Sequence, residues 1–129
     1  MSEFKDAFDA INNTQDTTAS YSREDIEKNK FMAILAYFSW LVLIPLFCAK
    51  ESKFARFHVN QGLVLAIAEL LINVVFWPLR HIWLIGWIFG IIYALVGICA
   101  FILFILGVVN AANGRAKELP IIGGIHLIS

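Results

Sequence analysis

Three long apolar stretches most constrain what this chain can fold into. The first, 31–48, has 18 residues and no charge. The second, 59–79, contains a single acid, Glu69, and the third, 82–112, has 31 uncharged residues. Such stretches are typical of helices that cross a bilayer. Sixty per cent of the 129 residues are hydrophobic, and so short a chain lacks the volume to bury them in its own core. The sequence therefore predicts an all-α integral membrane protein.

We expect three transmembrane helices, at about 31–48, 59–79 and 91–112. The first is at the lower length limit for a crossing, and Pro45 near its end would kink or terminate the helix. Residues 1–21 are predicted to form a polar, acidic tail, and 22–129 the helical membrane domain. Within that domain, the remaining segments are expected to lie at the bilayer interface, at about 49–58, 82–90 and 115–129.

The third apolar stretch is too long for one crossing. A straight helix over its 31 residues would be roughly 46 Å long, whereas a hydrocarbon core is about 30 Å thick. We therefore expect a break or a steep tilt near Gly86 and Gly90. Asn113 and Gly114 then form a good helix stop.

The first thirty residues carry seven acids against four bases, so they do not form a basic arm for nucleic acid. Phe4, Phe8 and Ile11 share one helical face, which predicts a short amphipathic helix able to touch a membrane surface. The polar residues that follow are expected to be a flexible linker. Ser22 and Asp25 form a capping-box pattern, which predicts a helix that runs into the first apolar stretch.

Three crossings would put the two chain ends on opposite sides of the membrane. The Lys and Arg residues near the spans then number four on one side and five on the other: Arg23, Lys28, Lys30 and Arg80 against Lys50, Lys53, Arg56, Arg115 and Lys117. The positive-inside rule thus favours a cytoplasmic C-terminal side by a single charge.

Glu69 is the sharpest local signal inside the apolar stretches. A carboxylate near mid-span costs a few kcal/mol and usually faces protein or water. Gln61, Asn73 and Arg80 fall near the same stripe of the helix, and one interpretation is a polar track or ion-sensitive site along it. The other, which we favour, is a protonated or hydrogen-bonded carboxyl that locks two helices together, with Asn73, Tyr37 or Ser39 as partner. Under the second interpretation, Glu69→Gln preserves folding and activity.

Small residues recur along the third stretch at helical spacing. They are Gly86, Gly90, Ala94 and Gly97. Such ladders let helices approach closely, within one chain or between copies, so self-association or contact with another membrane protein is expected.

A short cationic and aromatic connector separates the first two apolar stretches. Lys53 and Arg56 suit contact with anionic headgroups, and Phe54 and Phe57 suit anchoring in the lipid boundary. His58 has no Cys, Asp or second His at metal-ligand spacing. The sequence thus predicts a lipid-bilayer partner and no catalytic, metal or cofactor site.

The order of residues in three segments resembles the Tic-twenty-like family of small bacterial membrane proteins. The segments are "AILAYFSWLVLIPL", "FARFHVNQG" and "NAANGRAKELPIIG", and the resemblance covers about residues 31 to 125. The relatives of that family include a chloroplast inner-envelope import component and magnetosome membrane proteins that influence crystal growth. By position, the motif residues are Phe54, Arg56, Phe57, His58, Gln61, Gly62, Asn110, Gly114, Pro120 and Gly123.

The resemblance implies a multi-pass helical protein, in a bacterial cytoplasmic membrane, that acts by association. We expect a non-enzymatic scaffold or accessory subunit that works through helix contacts and the lipid interface. The alternative is an oligomeric channel or a component of a translocation machinery. One acid and one amide across three spans cannot line a water-filled path in a monomer, so that alternative requires several copies.

Overall fold

A computed structural model describes residues 2–128, and within them the chain is all-helical apart from one isolated bridge between Asp16 and Lys117. Five α-helices follow one another: α1 Ser2–Ile11, α2 Arg23–Leu35, α3 Leu43–Cys48, α4 Lys53–Arg80 and α5 Gly86–Ala112. Only α4 and α5, with 28 and 27 residues, are long and apolar enough to cross a membrane among the described helices. Each would be about 40 Å long.

α4 and α5 form an antiparallel hairpin that the other elements surround at one end only. We call the covered end, 53–65 of α4 with 103–112 of α5, the base, and the connecting residues 81–85 the tip. Side chains between base and tip are largely exposed apolar groups, and Trp83 at the tip is 86% exposed. Because exposed apolar surface of this extent is unfavourable in water, the hairpin suits a lipid environment.

The break in the third apolar stretch lies at the tip, immediately before Gly86, one of the two glycines near which it was expected. α5 begins at Gly86 and continues through Gly90 without interruption. The turn is tight, because Leu84 has a φ of 73° and a Cβ at Gly86 would lie 2.3 Å from the carbonyl oxygen of Arg80. The predicted interfacial segment 82–90 is therefore mostly helix, and the prediction of a break at Gly90 was wrong.

The first apolar stretch is not one transmembrane helix, so the prediction of three spans was wrong. α2 ends at Leu35, Ser39 has a φ of 56°, and the chain continues as a 3-10 turn and the six-residue α3. Pro45 lies in the first turn of α3, where its missing N–H cannot continue a helix from the preceding turn. The apolar composition of these 18 residues does not distinguish a chain reversal from a crossing.

The N-terminal segment is not a free linker. Backbone bonds join Thr17 N to the Ala116 carbonyl (3.0 Å) and Glu118 N to the Gln15 carbonyl (3.0 Å). The described N- and C-terminal segments thus pack together at the base of the hairpin. α1 has the expected amphipathic pattern, with Phe8 partly buried against the core.

The helix predicted from the Ser22 capping pattern is confirmed. Ser22 is the N-cap of α2, and its hydroxyl accepts a hydrogen bond from Asp25 N at 3.1 Å. α2 then runs beside the base of α4 and contacts α5 as well. The buried core lies where these three helices meet, and includes Ala33, Tyr37, Phe54, Val59, Leu65, Leu106 and Ala111.

Candidate functional site

The polar residues of "FHVNQG" form the most organised group of side chains in the described chain. They lie not in a connector but in the first three turns of α4, which begins at Lys53. Tyr37, His58, Asn60 and Gln61 are all buried. Together they hold the backbone of the C-terminal segment 113–128, and we call these four residues the tail-binding cluster.

His58 bridges the turn after α2 to the C-terminal segment. Its Nε2 lies 2.8 Å from the carbonyl oxygen of Arg115, and its Nδ1 lies 2.5 Å from the hydroxyl of Tyr37. A carbonyl oxygen can only accept, so Nε2 carries the proton, and Nδ1 accepts from the Tyr37 hydroxyl. Both ring nitrogens are therefore engaged, and the imidazole is a neutral structural link rather than a free ligand.

Gln61 continues the same network one turn further along α4. Its Nε2 donates to the hydroxyl of Tyr37 at 2.8 Å and to the carbonyl oxygen of Lys117 at 3.3 Å. Its Oε1 accepts from Leu119 N at 2.6 Å. Because a buried amide is costly unless its groups are paired, this complete pairing fixes the position of the C-terminal segment.

Asn60 binds the last part of the described chain. Its Nδ2 donates to the Ile125 carbonyl at 2.8 Å, and its Oδ1 accepts from Leu127 N at 2.5 Å and from Ile128 N at 3.1 Å. Asn60 was not singled out from the sequence. Asparagine in a helix carries no local signal of a backbone partner more than sixty residues away.

The aromatic motif residues pack around His58 rather than anchoring in lipid. Phe54 is fully buried, and the rings of Phe54 and Phe57 meet the imidazole edge-on at 4.9 and 5.1 Å between centroids. Tyr21 meets both phenylalanine rings in turn. The interpretation of 49–58 as a lipid-facing connector was therefore wrong for these aromatic residues, because the N-terminal segment covers them. Arg56 is half-buried beside them.

Two glycines let the turn after α2 enter the hairpin. A Cβ at Gly62 would lie 1.9 Å from the carbonyl oxygen of Ala36, and one at Gly107 would lie 2.4 Å from the ring of Tyr37. No such contact is sterically allowed, so only glycine permits this approach. The motif residue Gly62 thus has a packing role, and Gly107 shares it although no sequence pattern singled it out.

The remaining motif residues stabilise the C-terminal segment. Asn110 and Asn12 form a reciprocal pair of amide hydrogen bonds, each 3.0 Å, in a buried position. Gly114, with a φ of 70°, ends α5 as expected. Pro120 precedes a turn, and a Cβ at Gly123 would lie 2.5 Å from the carbonyl oxygen of Leu119.

Asp25 connects the start of α2 to the start of α4. Its carboxylate accepts from the Ser52 hydroxyl at 2.5 Å, from Phe54 N at 3.0 Å and from the Asn29 side chain at 2.8 Å. Burial acts to raise the pKa of this carboxyl, but the hydrogen bonds outweigh it, so that the pKa lies below its ordinary value of 3.8. Asp25 therefore caps α4 from a neighbouring helix.

We expect Asp25→Asn to lower the unfolding free energy at neutral pH by about 1 kcal/mol, the usual loss of a helix cap. Because the folded-state pKa is depressed, the contribution is full above pH 3.8 and is lost as pH falls through the folded-state value. Unfolding midpoints in detergent between pH 2 and 7 measure this. The wild type should lose its advantage at the acid end, and the exposed neighbour Glu24→Gln should resemble the wild type. An equal loss in both variants would contradict the capping role.

Glu69 does not form the predicted helix lock. Asn73 donates to the main-chain carbonyl of Glu69 at 2.8 Å, and its amide oxygen accepts from Tyr93 on α5. Within the described residues, no hydrogen bond joins the Glu69 carboxyl to Asn73, Tyr37 or Ser39. The carboxyl instead lines an otherwise mainly apolar cavity of about 540 Å³ between α4, α5 and the turn at Ser39.

The glycine ladder of α5 is only partly used inside the chain. Gly86 packs on Arg80, but a Cβ at Gly90 or Gly97 would meet nothing within 4 Å, and Ala94 is exposed. The close helix contacts of this fold are made at Gly62 and Gly107 instead. The ladder therefore leaves an open face on the hairpin.

Comparison with known proteins gives a family match. The sequence profile described as the magnetosome magnetite crystal formation protein family (MamF/MmsF) matches residues 28–128. Magnetosome protein MmsF of Paramagnetospirillum magneticum is 35% identical over 95 residues, which are 73% of this chain and 81% of that protein. Magnetosome protein MamF of the same organism is 31% identical over 97 residues, which are 74% and 80% of the two chains.

A UPF0132 membrane protein of Methanocaldococcus jannaschii is 32% identical over 83 residues, 64% of this chain and 55% of that protein. No solved structure matches the chain. The prediction of the Tic-twenty-like family was wrong, because the matched family is MamF/MmsF and no relation to the chloroplast import component is shown. That prediction named magnetosome membrane proteins only as relatives of the Tic-twenty-like family.

Proposed function

The chain belongs to the MamF/MmsF family of magnetosome magnetite crystal formation proteins, and we propose from this premise that it is a non-enzymatic membrane scaffold. It is a membrane protein, as its relatives are. Its proposed role is to organise the membrane and its protein neighbours where a mineral crystal forms. The fold would do so as a rigid unit, with a lipid-embedded hairpin and a polar base.

The observation that supports this proposal is that the polar motif residues are hydrogen-bonded to other parts of the fold. His58, Asn60 and Gln61 have their polar side-chain groups bonded to Tyr37 or to backbone of 115–128. A catalytic residue must reach a substrate, whereas these side chains are buried and paired. The motif is therefore better suited to holding two segments together than to chemistry.

Complementation tests the proposal. The full chain is expressed in Paramagnetospirillum magneticum cells that lack MmsF and MamF, and crystal lengths are measured by electron microscopy. We expect crystals closer to wild-type length with the chain present, and no such effect for Gln61→Leu, which cannot hold the C-terminal segment. Correct membrane insertion of the chain with unchanged crystals would count against the role in crystal formation.

Self-association is part of the proposed scaffold role, since the open face of α5 includes Gly90 and Ala94. Gly97 lies at the edge of this face, where it lines the Glu69 cavity. Small residues let helices of two copies approach closely in lipid. We expect Gly90→Leu to reduce detergent cross-linked dimers several-fold, with Gly124→Leu, in the C-terminal segment, as the matched control. Unchanged dimers in Gly90→Leu would remove this face from the proposal.

An oligomeric channel is the second candidate, and the Glu69 cavity is the observation that favours it. A carboxyl without a hydrogen-bonded partner among the described residues, facing a cavity between helices, suits an ion-sensitive element. Flux through liposomes that contain the purified protein distinguishes the candidates. Robust permeation that Glu69→Gln abolishes would favour the channel, and its absence favours the scaffold.

A further inference from the structure

We infer that both chain ends and the whole base of the hairpin face the cytoplasm, and that only the tip reaches the compartment on the other side of the membrane. This inference needs membrane insertion but not the scaffold role. It depends on three observations: where the chain ends meet, how the first apolar stretch returns, and how the basic residues are distributed.

The described N- and C-terminal segments lie at the same end of the hairpin. Asn12 pairs with Asn110 near the end of α5, and Arg115 lies 3.3 Å from the carboxylate of Asp16. The backbone bonds of Thr17 and Glu118 to the opposite segment join the two ends further. Segments that share buried hydrogen bonds cannot lie on opposite sides of a bilayer.

The first apolar stretch enters the membrane and returns to the same side without crossing it. Asp25, before the stretch, bonds to Ser52 and to Phe54 N, just after it. The stretch therefore begins and ends at one level. Between these points the chain reverses at Ser39, where the φ of 56° marks the turn. The exposed side chains of Trp40 and Phe47 along this re-entrant segment suit contact with lipid. Only α4 and α5 are left to cross, which makes two crossings.

Two crossings change the charge count decisively. Of ten Lys and Arg residues, only Arg80 lies next to the tip, so ten minus one leaves nine at or near the base. The count of four against five had assumed that the first stretch crosses. A bias of nine to one under the positive-inside rule assigns the base to the cytoplasm.

The tip is suited to emergence at the far interface. Trp77 and Trp87 flank it, and tryptophan is enriched where lipid meets water. The Arg80 side chain packs against α5, with its guanidinium 4.2 Å from the ring centroid of Tyr93. The tip itself, "HIWLI", contains no acid. A partner on the far side therefore meets an aromatic, apolar turn, whereas nine of the ten acids lie on the base side.

Single-cysteine labelling tests the orientation with the full-length chain. Cys48 and Cys99 are replaced by serine and alanine, and one cysteine is introduced at Asn13, Gly124 or Trp83, which are exposed positions. An impermeant maleimide is added to spheroplasts and, separately, to inside-out vesicles. We expect at least ten-fold stronger labelling of Trp83→Cys in spheroplasts, and at least ten-fold stronger labelling of Asn13→Cys and Gly124→Cys in inside-out vesicles.

Comparing spheroplasts with inside-out vesicles identifies misfolded variants. A variant is used only if its cysteine is labelled in one of the two preparations. The cysteine-free chain measures background. Labelling of Asn13→Cys and Gly124→Cys from opposite sides would restore three crossings and overturn the inference. Labelling of both from outside, or of all three positions from both sides, would also overturn it.

Discussion

Replacing Gly62 with alanine is expected to lower the unfolding free energy by about 3 kcal/mol, near the upper end of the usual cost of overpacking. The added Cβ would lie 1.9 Å from the backbone carbonyl oxygen of Ala36 and 3.2 Å from Val42. Since the obstacle is backbone, α2 and the following turn must move away from α4. The free-energy cost of that movement exceeds the gain of about 1 kcal/mol that alanine brings to a helix interior.

Gly90→Ala is the matched control, because Gly90 is also helical but a Cβ there would meet nothing within 4 Å. It should be neutral or slightly stabilising. Gly107→Ala should fall between the two, since its obstacle is the Tyr37 ring, which is a side chain. Unfolding with sodium dodecyl sulphate in mixed micelles, followed by tryptophan fluorescence, gives all three values. Equal stability of Gly62→Ala and Gly90→Ala would contradict the close approach.

Replacing His58 with alanine is expected to cost about 3–5 kcal/mol, as for other large buried rings. The loss combines a cavity among Phe54 and Phe57 with two broken hydrogen bonds, since the Tyr37 O–H loses its acceptor and the Arg115 carbonyl loses its donor. Tyr37→Phe should cost about 1–3 kcal/mol, because it leaves His58 Nδ1 without its donor. The same mixed-micelle unfolding measures both.

The double variant separates packing from hydrogen bonding. If Tyr37 and His58 are bonded, the double variant should be more stable than the sum of the single losses predicts, by about 1–2 kcal/mol. His126→Ala, at an exposed histidine, should change stability by less than about 0.5 kcal/mol. Additive losses from Tyr37→Phe and His58→Ala would mean that the bond contributes nothing to stability.

The sequence predicted the features of the fold that leave a local pattern. The α2 cap at Ser22 and the stop at Gly114 were found where the sequence indicated them. The two long apolar helices contain the predicted spans 59–79 and 91–112, but they begin earlier, at Lys53 and Gly86. The reversal at Ser39 was missed, since a re-entrant segment and a crossing have the same apolar composition. Pro45 was noticed, but it could not by itself distinguish a kink from a return.

The candidate site was located from the sequence but misinterpreted. His58, Gln61 and Gly62 were selected by resemblance, whereas their partners lie on distant segments. The bond from His58 spans 57 positions and that from Gln61 to Leu119 spans 58. Side-chain bonds to a distant backbone place no restriction on the partner's residue type. The sequence therefore carries no record of the pairing.

The chain is similar to magnetosome proteins of Paramagnetospirillum magneticum and to a membrane protein of Methanocaldococcus jannaschii. A motif that holds the fold together is compatible with several cellular roles. Differences in role would then depend on exposed surfaces, such as the open face of α5 and the base.

Hydrogen exchange of the C-terminal segment tests the tail-binding cluster most directly. The N–H of Leu119 is bonded to Gln61, and those of Leu127 and Ile128 to Asn60. In detergent-solubilised wild type, we expect peptides covering 117–128 to exchange at least about ten-fold more slowly than an unfolded chain. In Gln61→Leu that protection should be lost around Leu119 while α5 stays protected. Exchange of the wild-type segment at the unfolded rate would contradict the cluster.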